Sequence, residues 1–250
     1  MAETTLHQPE ATPKPDSNRL WEALGLRRRN WPGRYTVLLF LVLLMIVGEP
    51  MFAGHRLAQG LASASMSLVL LAALYTLNLS PAYFTVGLLL MVPAFVTRWA
   101  LHWYRTPELE VFAALSASAF IFITVVGLVR EIFSVKRVTL DTISASICAY
   151  LLMGLAWAFL FAVVAMEHPG SFSRVLLVHS QASPMFMSLH NFFYYSFVCL
   201  TTTGFGDIAP ASDVARALSI LESVTGQMYL AILIARLVSL EVAQSMLGTR

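Results

Sequence analysis

Charge is scarce in this chain. Lys, Arg, Asp and Glu make up 12% of its 250 residues, against about 25% in an ordinary soluble domain. That scarcity excludes a surface bathed throughout by water. With 58% hydrophobic residues and a mean hydropathy of +0.71, it points to lipid as the surrounding medium. The net charge of +2 and the lack of a basic patch with interleaved aromatics exclude a nucleic-acid partner. Cysteine is equally sparse: Cys148 and Cys199 lie inside apolar stretches, read as small buried hydrophobes, and form neither a disulfide framework nor a metal-ligand spacing. Residues 1–18 are polar, carry Pro9, Pro13 and Pro15, and lack the apolar core and cleavage site of a secretory signal. They read as a disordered cytoplasmic tail. There is no nucleophile–base set, cofactor motif or small-molecule site, so the chain does not read as an enzyme. No internal repeat supports an inverted-repeat transporter plan.

What the chain has is long apolar runs. A spanning helix needs roughly 20 mostly apolar residues. Candidates cover Arg34 to Val47 and on to Phe52, Leu57 to Leu77, Ala82 to Leu101, Leu109 to Phe133, Leu140 to Met166 and Val214 to Leu240. The fold class is therefore all-α integral membrane, with six transmembrane helices and a re-entrant pore helix and loop between the fifth and sixth. Leu20, Trp21, Leu24 and Leu26, followed by Arg27, Arg28 and Arg29, suggest a short helix on the membrane surface. Lysine and arginine bias in the loops sets the orientation. Arg27–Arg29, Arg34, Arg130, Lys136, Arg137 and Arg250 share one side; Arg56, Arg105, Arg174 and Arg216 share the other, with Arg98 near it. Both termini are then cytoplasmic in a plasma (inner) membrane. The domain plan is a tail and surface helix over 1–33, a four-helix peripheral region over 34–135, a pore-forming region over 136–242 and a cytoplasmic tail over 243–250.

The segment between the last two spans has a different character. From Ser188 to Thr201 it is aromatic and apolar but too short to cross a bilayer, which suits a helix that enters and turns back. Ser188 or Asn191 is the candidate N-cap. The negative end of its dipole would point into the membrane and favour cations there. The chain then returns through Thr202-Thr203-Gly204-Phe205-Gly206. Irregular backbone at that depth survives only in protein or along a water-filled path. Glycines at Gly204 and Gly206 permit backbone angles that let successive carbonyls face one way. Four such strips would replace the hydration shell of a cation with carbonyl oxygens, the Thr202 hydroxyl adding one more. One strip cannot enclose an ion, so a homotetramer is expected.

Thr202-Thr203-Gly204-Phe205-Gly206-Asp207 resembles the potassium-channel signature Thr-Val-Gly-Tyr-Gly-Asp, and the likeness extends over residues 140–240. The resemblance implies that carbonyls of Thr202, Thr203, Gly204 and Phe205 coordinate K⁺, the permeant ion, with no cofactor. Tyr194 and Tyr195 match the aromatic pair that braces the filter, Asp207 the acid at its outer mouth, and Gly226 the glycine at which the inner helix bends. Two departures, Thr203 for valine and Phe205 for tyrosine, keep a weakly selective monovalent cation channel as the alternative. A bare Gly-Phe-Gly-Asp also occurs in ordinary turns of transporters and membrane enzymes. Its setting between a short aromatic helix and a spanning one carries the reading.

Further residues have two readings each. Glu222 lies within the sixth span, where an acid costs roughly 2.5–3.5 kcal/mol and must face protein or water. It either bonds the back of the pore helix or filter, or is simply satisfied between helices. Gln227, Leu230 and Ile234 either line a cavity below the filter or pack against neighbouring helices. Arg236 reads as an interfacial anchor. The fourth span carries only Arg130, not the arginine repeat of a voltage sensor. His55, His102, His168, His179 and His190 fall on the outward side and either read as solvated loop residues or respond to external acid or metal.

Overall fold

Prolines and hydroxyl caps account for where the apolar stretches become helices. The computed structural model describes residues 33–51, 58–77, 81–101, 103–104, 106–135, 138–173 and 184–248. Its helices are α1 (Arg34–Met51), α2 (Ala58–Thr76), α3 (Pro81–Ala100), α4 (Pro107–Ser134), α5 (Leu140–Glu167), α6 (Pro184–Leu200) and α7 (Asp213–Gly248). Proline opens α3, α4 and α6, at the position where its missing N–H is no loss. Thr139 caps α5 by accepting from the Thr142 amide at 3.2 Å. Ser212 caps α7 by accepting from the Ala215 amide at 3.2 Å. Glu108 and Glu110 occupy the first turn of α4, where the helix dipole favours negative charge.

The described chain is all-helical apart from one isolated antiparallel bridge, Phe172 with Pro210. Four segments are long and apolar enough to cross a membrane: Tyr83–Ala100, Pro107–Ser134, Leu140–Glu167 and Asp213–Val242. Among the described residues, Arg34–Gly48 and Ala64–Thr76 are apolar but shorter. The protein is a multi-pass membrane protein.

Two boundaries differ from expectation. The short aromatic helix begins at Pro184, so Ser188 and Asn191 lie inside it and neither caps its start. A proline is pre-organised for the first helical turn, and that sets the boundary earlier. The last helix runs to Gly248, into the segment expected as a tail, because no glycine or proline interrupts the chain between Leu240 and Gly248. The surface helix before Arg34, the loop residues Arg56, Arg105, Lys136, Arg137, Arg174 and Arg250, and His55, His102 and His179 lie outside the described residues.

α5 is the hub: 72% of its most apolar window is buried inside the chain, against 17% for α7. It packs on α4, and Leu152, Leu155 and Ala158 of α5 share one buried core with Ala114, Phe120 and Ile121 of α4; Ser118 Oγ donates to the Ala156 carbonyl at 3.0 Å. The Cys148 thiol donates to the Tyr35 carbonyl of α1 at 3.6 Å. At one end of the bundle, Arg34 pairs with Glu131 at 2.6 Å, and the Tyr35 hydroxyl donates to the same carboxylate. Arg130 reaches the Tyr83 hydroxyl at 3.2 Å. Arg236 of α7 comes to the same end, donating to the carbonyls of Phe133 and Val135 with its guanidinium over the Phe133 ring.

Candidate functional site

A helix ends with carbonyls that have no partner within it, and the end of α6 shows where each one goes. The Thr201 amide donates to Phe197 at 3.0 Å, Thr202 to Cys199 at 2.9 Å and Thr203 to Val198 at 3.0 Å. The last two bonds are the 5→2 and 6→1 pair of a Schellman cap, which places Thr202 at the position that glycine usually fills. Thr202 indeed has φ +57° and is the one non-glycine residue with positive φ among those described. A β-branched residue there is strained by about 1–2 kcal/mol.

Neighbouring helices complete the accounting. Ser223 of α7 donates to the Cys199 carbonyl at 3.0 Å, and Tyr150 of α5 donates to the Leu200 carbonyl at 3.3 Å. Gly226 of α7 lies against the same carbonyl: a Cβ there would sit 2.7 Å from Leu200 O. The end of α6 is thus wedged between the middles of α5 and α7.

Beyond the cap the backbone alternates. Thr202, Gly204 and Gly206 have φ of +57°, +59° and +79°, while Thr203 and Phe205 do not enter the positive region. Residues 201–207 are exposed on the surface of the chain, and among the described residues Gly204, Phe205 and Gly206 make no backbone–backbone hydrogen bond. The Thr201 and Thr203 hydroxyls are 2.8 Å apart.

Two devices hold the strip. The Phe205 ring stacks on Tyr194 with centroids 6.3 Å apart and planes 5° apart, and the Tyr194 hydroxyl lies close to the Asp207 carboxylate. Tyr195 points elsewhere. It is buried, and its hydroxyl meets that of Ser219 on α7 at 2.6 Å. The second device is a clamp from the chain just after α5. The Ser173 amide donates to the Ala209 carbonyl at 2.8 Å, and the Ala211 amide to Ser171 at 2.8 Å. The Ser173 hydroxyl accepts from the Ala209 amide at 2.9 Å. Phe172, between them, seats its ring edge-on among Phe161, Phe192 and Tyr195 at 5.0–5.8 Å. Nothing in the sequence pattern announces this clamp.

Glu222 is fully buried and bonded to Ser196 of α6, and Ser196 also donates to the Gly154 carbonyl of α5 at 2.6 Å. Gly154 permits that approach, since a Cβ there would lie 2.8 Å from the Phe197 ring. α7 is one uninterrupted helix through Gly226. Along it Gln227 and Ile234 are exposed and Leu230 is half-buried. Of the histidines expected on the outward side, His168 follows α5 as its C-cap and His190 is half-buried on α6. Among the described residues no three His, Cys, Asp or Glu gather as a metal site requires.

Residues 147–242, from the first half of α5 to the last turns of α7, match a family model described as "Ion channel". No curated protein and no solved structure matches the chain.

Proposed function

We propose that this chain is one subunit of a homotetrameric, potassium-selective channel, with Thr202 to Gly206 as its filter strip. The observation that carries the reading is the alternation of φ at Thr202, Gly204 and Gly206 directly after the end of a short apolar helix. α6 has 17 residues, roughly 25 Å of helix at 1.5 Å per residue, less than the hydrocarbon thickness of about 30 Å. Support for a re-entrant path comes from its contacts. Its last carbonyls meet mid-helix residues of α5 and α7, whereas the chain after Gly206 rejoins the end of α5 at Phe172. The segment goes in and comes out on the same side, and the matched family model covers these same elements.

Function then follows from main-chain oxygens. Carbonyls of Thr202, Thr203, Gly204 and Phe205, with the Thr202 hydroxyl, replace the water around a dehydrated K⁺. Asp207 at the mouth concentrates cations, and the negative end of the α6 dipole favours them below the filter. Four copies close the ring. The exposed strip and the lightly covered α7 leave the surface that such closure needs. Gln227, Leu230 and Ile234 then face the cavity. Six spans and cytoplasmic termini in a plasma membrane accord with the gathering of Arg34, Arg130 and Arg236 at one end.

A weakly selective cation pore is the second reading, favoured by Thr203 and by a Phe205 held through stacking rather than a hydroxyl bond. Reversal potentials of the purified chain in planar bilayers under mixed K⁺ and Na⁺ separate the two. Gly204→Asp puts a side chain at φ +59° inside the strip. Potassium flux should vanish with membrane insertion intact, and unchanged flux would overturn the filter assignment.

A further inference from the structure

Three oxygens behind the filter strip share too few protons unless Glu222 supplies one. A serine hydroxyl has a single hydrogen to donate. The Gly154 carbonyl can only accept, and it lies 2.6 Å from Ser196 Oγ, so the Ser196 hydrogen lies on that line. Two oxygens at this separation with no hydrogen between them would repel. Yet Ser196 Oγ is also hydrogen-bonded to Glu222 Oε1. With its own hydrogen committed, Ser196 meets Glu222 through a lone pair, and the hydrogen of that second bond must come from the carboxyl group.

Burial argues the same way. Ser196 and Glu222 are both fully buried, and Glu222 Oε2 has no hydrogen-bond partner. An ionised carboxylate would leave full charge on an oxygen that nothing solvates, which is strongly unfavourable in a dry interior. The ionisable groups facing it from the other helices are Tyr150 of α5 and Tyr195 and Cys199 of α6. All three are weak acids that carry no positive charge, so none compensates an anion.

We infer that Glu222 is held as the neutral acid and donates its proton to Ser196, completing a relay Glu222–Ser196–Gly154 that fastens α7, α6 and α5 at one point. Glu222 is a positioning residue. It touches no permeant ion, and it sets where α6 sits behind the strip; that last clause rests on the channel reading, the proton itself does not.

The test compares wild type with E222Q, purified in lipid, by infrared difference spectroscopy. The expected result is the carbonyl stretch of a protonated carboxyl in wild type, lowered in heavy water and lost in E222Q. A difference spectrum holding only carboxylate bands would overturn the inference. A second measurement uses current. The amide of E222Q can donate to Ser196, so its conductance and K⁺/Na⁺ reversal potential should match wild type, while E222A loses current. E222Q as impaired as E222A would overturn the donor role. Absence of any wild-type current would bear on the channel reading alone, and the infrared band would still decide the proton.

Discussion

The rings of Tyr194 and Phe205 lie parallel, 6.3 Å apart with planes 5° apart, so the strip is braced by a stack where a tyrosine at position 205 would supply a hydroxyl. An offset aromatic pair at this spacing contributes about 0.5–1.5 kcal/mol beyond its burial. The Tyr194 hydroxyl lies close to Asp207, so one side chain neighbours both Phe205 and Asp207.

Removing only that hydroxyl separates the contributions. Tyr194→Phe keeps the stack and loses the hydroxyl beside Asp207. Open bursts in single-channel records should shorten. Tyr194→Leu, which loses both, should shorten them further. Equal effects of the two variants would show that the stack contributes nothing.

Thr202 combines strain with an exposed oxygen. Thr202→Gly should relax the left-handed residue of the helix cap and stabilise the fold by about 1 kcal/mol, read as a rise in Tm of the purified protein. The same variant loses the hydroxyl at the inner end of the strip. Its reversal potential in mixed K⁺ and Na⁺ should therefore move toward that of an unselective pore. A fall in Tm would show that the threonine is not strained there.

Gly226 sits where α7 touches the end of α6. Gly226→Ala would push a methyl to 2.7 Å from the Leu200 carbonyl and should destabilise by about 1–3 kcal/mol. Gly48→Ala is the control, because nothing lies within 4 Å of a Cβ there. Thermal melts of the two variants in the same detergent measure the difference. If Gly226→Ala melts like the control, the contact does not constrain the helix pair.

Part of this site is legible in the amino-acid order alone. The apolar runs mark the helices because a bilayer demands length and hydrophobicity over consecutive residues, a property of local sequence. Gly204 and Gly206 announce positive φ because only glycine adopts it without strain. Thr202 gives no such signal. Its left-handed turn is imposed by the Schellman cap of α6 and tolerated by the surrounding contacts. The N-cap of α6 escapes a reading by polar residues for a related reason, since Pro184 starts the helix ahead of Ser188 and Asn191.

The clamp of Ser171 and Ser173 on residues 209–211 and the bond from Tyr195 to Ser219 have no local signature either. Nor does the Glu222–Ser196–Gly154 relay, with Gly226 pressed on Leu200. Each joins residues far apart in the chain. Local sequence determined that this protein lives in a membrane and where most of its helices run. Which faces of α5, α6 and α7 meet was decided only by tertiary packing, because hydroxyls and carbonyls buried from water must be paired, and their partners are chosen in three dimensions.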